Sequence, residues 1–273
     1  MTALPTTATR ADARHVSFPR VLRSEWIKLW SLRSTYWTVA ATIAAMVFIA
    51  VLVGATSRID DDAVAAGFDG TMAIGMGYTF AQVVVAVLGV LTITGEYSTG
   101  MIRSTLAAVP RRWPALAAKA VVVAVVGAAL GLVGVAAAYA ASYPLLGAAG
   151  AADLSDPEVQ RIFWGTALYL AGVGLFGLAV GAVVRHSAGA ITLVLGVLLM
   201  LSSFWQLLMV TSDWFARVYP YLPSVAGERI VSAAVEPGGA VDVLGPWAGF
   251  GVFMVYVVAT MAAATALLRR RDA

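Results

Sequence analysis

Few residues in this chain could do chemistry, and many of those that could are gathered in one polar interruption, residues 94–114. It opens on an acid, Glu96, at the end of a long apolar run. Arg103 lies inside it, Arg111 and Arg112 follow Pro110, and Lys119 stands at the start of the next apolar run. Charged groups at such a boundary can hold lipid phosphates or answer opposite charges on a partner. They do not form a catalytic set. There is no Gly-x-Ser-x-Gly elbow, no His-Glu-x-x-His and no Cys, so neither a nucleophile elbow nor a thiolate metal site is available. His15 and His186 are far apart, and His186, with no carboxylate nearby in sequence, reads as a headgroup-facing residue rather than a base. The chain has two lysines, Lys28 and Lys119, and neither follows Gly in a phosphate-binding loop. Nucleotide, if it is used, must therefore sit with its Mg on another chain, and no cofactor is expected on this one.

The elements that position these residues follow from composition. Hydrophobic residues make up 60% of the 273 and charged residues 12%, against about half and a quarter in soluble domains. The balance predicts an all-α integral membrane protein, because lipid offers backbone groups no hydrogen-bond partner outside a helix or a closed barrel. Six apolar runs are long enough to cross about 30 Å of hydrocarbon. They are Tyr36–Thr56, Met72–Thr94, Pro114–Tyr143, Ile162–Val184, Ala188–Val210 and Trp247–Leu268. Six crossings put both termini on one side. Of the 18 Lys and Arg residues, only Arg58, Arg161, Arg217 and Arg229 fall on the other side, so the positive-inside rule predicts cytoplasmic termini. The Asp60, Asp61, Asp62 and Asp69 group in the first outside loop agrees.

Before the spans, residues 1–16 read as a disordered cytoplasmic tail with no signal-peptide pattern. The six-span domain occupies 17–273. Residues 17–35 predict an amphipathic interfacial helix. Leu22, Trp26, Leu29 and Trp30 share one face, with Arg20, Arg23 and Lys28 largely away from it. Between the last two spans, residues 211–246 form the longest outside loop. Ser224 is placed to cap a short helix, Val225–Val235, that either dips into the outer leaflet or lies on the surface. Ser187 is placed to cap the fifth span after a tight turn at Arg185 and His186, which makes spans four and five antiparallel neighbours.

The span interiors offer little beyond amides and hydroxyls. Their near lack of Asp, Glu, Lys and Arg argues against a proton-coupled carrier. Gln82 and Gln206 are the candidate polar residues of a substrate path, although an interhelical hydrogen bond explains Gln82 more simply. Gly127 with Gly131, and Gly177 with Gly181, have the four-residue spacing that lets helix backbones approach.

The polar interruption, taken whole, resembles a known arrangement. Glu96 leads into Tyr97-Ser-Thr-Gly-Met-Ile-Arg. An amphipathic helix around Ser98–Val109 follows, with Ile102, Leu106 and Val109 on one face. Pro110-Arg-Arg-Trp closes it before Lys119. This resembles the cytoplasmic coupling segment, here residues 95–113, of type-2 ATP-binding-cassette (ABC) exporter permeases. Ser24-Glu-Trp-Ile-Lys-Leu-Trp-Ser-Leu-Arg-Ser is similar to their amphipathic start, and Tyr221-Leu-Pro-Ser-Val-Ala-Gly to the stretch before their last span. The Ala-rich and Arg-rich style is similar to actinobacterial members.

The resemblance implies a permease subunit in a bacterial cytoplasmic membrane, pairing with a second copy and with two ATPase subunits, and having no nucleic-acid partner. Glu96, Thr99, Gly100, Ile102, Arg103, Leu106, Arg111 and Arg112 are then the ATPase-coupling residues. Ile102 and Leu106 are expected to enter a groove on the ATPase, while Glu96 sits near the positive N-terminal end of the short helix and fixes its angle. Trp26, Lys28 and Trp30 anchor the interfacial helix. The alternative class is a non-transporting scaffold, sensor or immunity component built on the same helices.

Overall fold

The computed structural model describes residues 17–59, 70–108, 113–232 and 243–270. The tail 1–16, the acidic loop at Asp60–Asp69, and Val109, Pro110, Arg111 and Arg112 lie outside them. Among the described residues the fold is helical with no strand, and six helices are long and apolar enough to span a membrane. The chain is a multi-pass, all-α membrane protein.

Helix α1, Phe18–Ser31, starts with Pro at its first turn, where a missing N–H costs nothing. It ends earlier than the expected boundary at 35. Leu32 turns extended, and the Thr35 hydroxyl donates to the Leu29 carbonyl at 2.6 Å, holding the corner into α2, Arg33–Ile59. Short α3, Gly70–Gly75, precedes α4, Tyr78–Thr99. Gly100, at φ 72°, links α4 to short α5, Met101–Ala108. The long α6, Trp113–Gly150, and α7, Pro157–Val184, form the third and fourth crossings. The fifth crossing is α8, Ser187–Leu195, a π-helical stretch at Gly196–Met200, and α9, Leu201–Met209. Beyond it come α10, Asp213–Val218, a 3-10 turn, α11, Pro223–Glu228, and the last crossing α12, Pro246–Arg270.

Helix α7 is the axis of the bundle. Its apolar window is 72% buried, against 11% for the fifth crossing. Small residues allow this. A methyl group on Gly177 would lie 2.4 Å from the Ala86 carbonyl oxygen of α4, and one on Gly131 would lie 2.7 Å from Ala167 of α7. The two glycine pairs thus seat α7 against α4 on one side and α6 on the other.

Two expected caps form differently. Arg185 adopts φ 61° and closes α7 through its N–H to the Gly181 carbonyl. The side chain of His186, not Ser187, caps α8 by accepting from the Gly189 N–H. The Ser187 hydroxyl instead donates to Thr94 at 3.1 Å. Helix α11 starts at Pro223 and ends at Glu228, so Ser224 lies inside it, buried and without a capping role. This segment is packed into the bundle rather than laid on its surface. Ile230 and Val231 are fully buried, and Gly227 sits against Tyr169 and Phe253.

Candidate functional site

Four charged side chains from three helices meet at the end of the bundle that carries the termini. Glu25 lies on α1, Glu96 in the last turns of α4, and Lys119 in the second turn of α6. Lys28, one turn beyond Glu25, completes the group. Lys119 bridges both acids, with Nζ 2.5 Å from Glu25 Oε2 and 2.7 Å from Glu96 Oε1. Lys28 does the same from the other side, at 2.7 Å to Glu25 Oε1 and 2.8 Å to Glu96 Oε1. It also donates to the Thr105 hydroxyl at 3.2 Å, which brings in α5. Two acids and two bases make the node neutral.

The local sequence explains how each helix delivers its charge. Val21, Glu25 and Leu29 recur every four residues and form the buried face of α1. Val21 packs on Ala115 and Ala118 of α6, one residue from Lys119. Helix α4 buries Ile93, Thr94 and Glu96 together. Desolvating a charge is costly unless an opposite charge answers it. Here Glu25, Glu96 and Lys119 each retain only 3% side-chain exposure, and every one is paired. Lys28 is more open, at 31%. Burial pulls its pKa down, but hydrogen bonds and charge attraction from Glu25 and Glu96 outweigh that and hold it above the usual lysine value.

The node revises several expectations. The apolar face of α1 centres on Val21, Glu25 and Leu29. Trp26 is exposed, Trp30 is half-buried, and Lys28 turns inward instead of away. Periodicity places Glu on the wet side of a helix by default, and only the facing lysines reverse that. Read on its own helix, Glu25 therefore passes for a solvent-facing charge. The signal available was an acid spaced four residues from both Val21 and Leu29. The near lack of ionisable groups in the spans also needs correction, since Glu96 and Lys119 belong to spanning helices and are buried there. Glu96 does not serve the N-terminus of the short helix; the two lysines hold it inside α4.

Helix α5 is shorter than expected, because Ser98 and Thr99 still belong to α4. Thr99 is exposed and donates to the Gly95 carbonyl. Ile102 and Leu106 do form an apolar face, but it is spent on this chain's own bundle. Both are buried in a cluster with Ile93, Leu116, Leu178 and Leu268. That face is not free for a partner's groove. Met101, Arg103 and Ser104 point outward. The Arg185 guanidinium lies 5.1 Å over the Tyr97 ring at the same end of the bundle.

The candidate path residues separate. Gln82 is buried and satisfied within the chain: its Oε1 accepts from the Tyr169 hydroxyl at 2.6 Å and its Nε2 donates to Glu228 at 3.4 Å. Gln206 is exposed and donates to the Tyr219 hydroxyl at 2.8 Å. They share no site, and Gln82 needs no second chain. The Gln82 contact belongs to an outer polar cluster. There Arg161 donates to the carbonyls of Arg229, Ile230 and Ser232, tying the turn after α11 to α7. Burial raises the Glu228 pKa, and hydrogen bonds from Gln82 and Tyr78 pull it only partly back.

Compared with known proteins, the chain matches no protein-family model and no curated protein.

Proposed function

We propose that this chain is the membrane-spanning permease subunit of an ATP-driven ABC exporter and that the four-charge node transmits force from a separate ATPase into its helices. The observation that carries this reading is that Lys28 holds α1, α4 and α5 at once, while Lys119 ties α6 to the same two acids. A partner pushing on α5 cannot move it alone. The push is shared by the second and third crossings and by the N-terminal helix. The basic residues crowd the termini side, which supports cytoplasmic termini in a bacterial inner membrane.

In this reading the partner meets the outward residues Met101, Arg103 and Ser104 together with the basic pair Arg111 and Arg112, not Ile102 and Leu106. ATP and Mg belong to two ATPase subunits. A second permease copy completes the path, and the fifth crossing, with Phe204 and Leu207 outward, is the most open helix for that contact.

The test is co-expression with an ABC ATPase subunit, followed by purification and reconstitution. Glu96→Gln is expected to keep the ATPase bound while hydrolysis ceases to drive efflux. An intact complex whose hydrolysis never drives efflux, even with the wild-type node, would favour the scaffold or sensor class. Nucleotide hydrolysis by this chain alone would refute the reading outright.

A further inference from the structure

The side chains of α1 fall into three sectors. Val21, Glu25 and Leu29 face the bundle. Trp26 and Trp30 flank them and continue ring to ring toward Tyr36, at 5.8 and 5.4 Å between centroids. The third sector lies opposite the buried one. Its Arg20, Arg23, Ser24, Ile27 and Ser31, with Lys28 at the edge, line an open cleft of about 400 Å³.

The charge on this cleft has one sign. Glu25 is the only acid of α1, and it is buried between Lys28 and Lys119. The node is neutral by itself, so none of its negative charge remains to balance Arg20 or Arg23. Among the described residues neither arginine has an acid within 4.0 Å. Yet the cleft is not a purely polar surface. Ile27 is 56% exposed between the arginines, and Trp26 is 42% exposed at the neighbouring rim. Guanidiniums interleaved with open apolar and indole side chains suit the zone where a phosphate meets the first methylenes of an acyl chain.

We propose that this cleft binds the headgroup of an anionic membrane phospholipid. Arg20 and Arg23 take the phosphodiester, Ser24 adds a hydroxyl, and Ile27 and Trp26 cover the upper acyl chain. Lys28 stands at the inner wall with its ammonium on Glu25, Glu96 and Thr105. The lipid charge therefore falls on a residue that also holds the node. The site rests on the geometry of α1 and stands whether or not the chain transports anything.

The full-length chain is purified into phosphatidylcholine nanodiscs, phosphatidylglycerol is titrated in, and lipids retained by the protein are counted by native mass spectrometry. Wild type is expected to retain phosphatidylglycerol in preference to phosphatidylcholine. Arg20→Ala with Arg23→Ala should weaken that preference on the order of tenfold or more, while Arg20→Lys with Arg23→Lys keeps most of it. Both side chains are exposed, so an unchanged thermal midpoint is expected in each variant. Free glycerol phosphate should not displace the lipid. Equal phosphatidylglycerol retention by wild type and the double Ala variant overturns the proposal. So does displacement by glycerol phosphate, which would make the cleft a soluble-anion site. Loss of a bound ATPase with lipid retention intact also overturns it and assigns the arginines to a protein surface.

Discussion

Lys119 and Glu96 are 23 positions apart and face each other from neighbouring helices, with 2.7 Å between Nζ and Oε1 and 3% of each side chain exposed. Each also pairs with one further member of the node, but removing either one alone leaves that buried node with one unbalanced charge. Lys119→Met is expected to cost about 3–5 kcal/mol, whereas Lys119→Met with Glu96→Met, which leaves Glu25 paired with Lys28, should cost clearly less than the two singles summed. Thermal unfolding of all four proteins in one detergent checks this. Additive losses would mean that the pair does not act as a unit.

Lys28 predicts an alkaline limit. Its folded pKa is raised, so its contribution is complete below the unfolded value near 10.5 and is lost as pH rises through the folded value. The thermal midpoint of wild type should hold to about pH 10 and then fall. Lys28→Met should start lower and lack that limb. Matching profiles for the two proteins would show that Lys28 is not part of the bonded node.

Glu228 predicts a loss of the same sense, beginning at a lower pH. Burial raises its pKa above 4.5, so the neutral form stabilises the fold at low pH and that stability is lost as pH rises through the raised value. Glu228→Gln should therefore raise the thermal midpoint at pH 7.5 and flatten its dependence between pH 4 and 8. A lower midpoint at pH 7.5 would mean that the carboxylate is stabilising where it stands.

Two glycines should separate cleanly. Gly177→Ala would place a methyl group 2.4 Å from a backbone oxygen of α4, which neither helix can avoid without moving apart. A loss of about 1–3 kcal/mol is expected. Gly95→Ala, one position from Glu96, meets nothing within 4 Å and should gain about 0.5–1 kcal/mol from helix propensity. Detergent melting of the two variants reads both signs.

For α5, Leu106→Ala should cost about 2–5 kcal/mol of this chain's own stability, because Leu106 fills its own bundle. Arg103→Glu, on the exposed face, should leave the melting curve unchanged and weaken ATPase co-purification. If Leu106→Ala left stability untouched, the inward packing of that face would be wrong.

Much of this protein is fixed by composition and spacing alone. Six runs of about 20 apolar residues must become helices in lipid, because no other local structure satisfies their backbones. The glycine pairs announce close helix contacts, and the tight Arg185–His186 turn makes α7 and α8 neighbours. These are local or averaged properties, and each can be read without knowing what faces what. The node is a different kind of fact. Glu25, Glu96 and Lys119 look like boundary charges when each helix is read separately, since periodicity treats any charge as exposed. Whether a charge can be buried depends on what another helix brings within about 3 Å of it. The same reason hid the fate of Ile102 and Leu106. An amphipathic pattern shows that a face will be covered, and only the packing of α4, α6, α7 and α12 decided that this chain covers it itself.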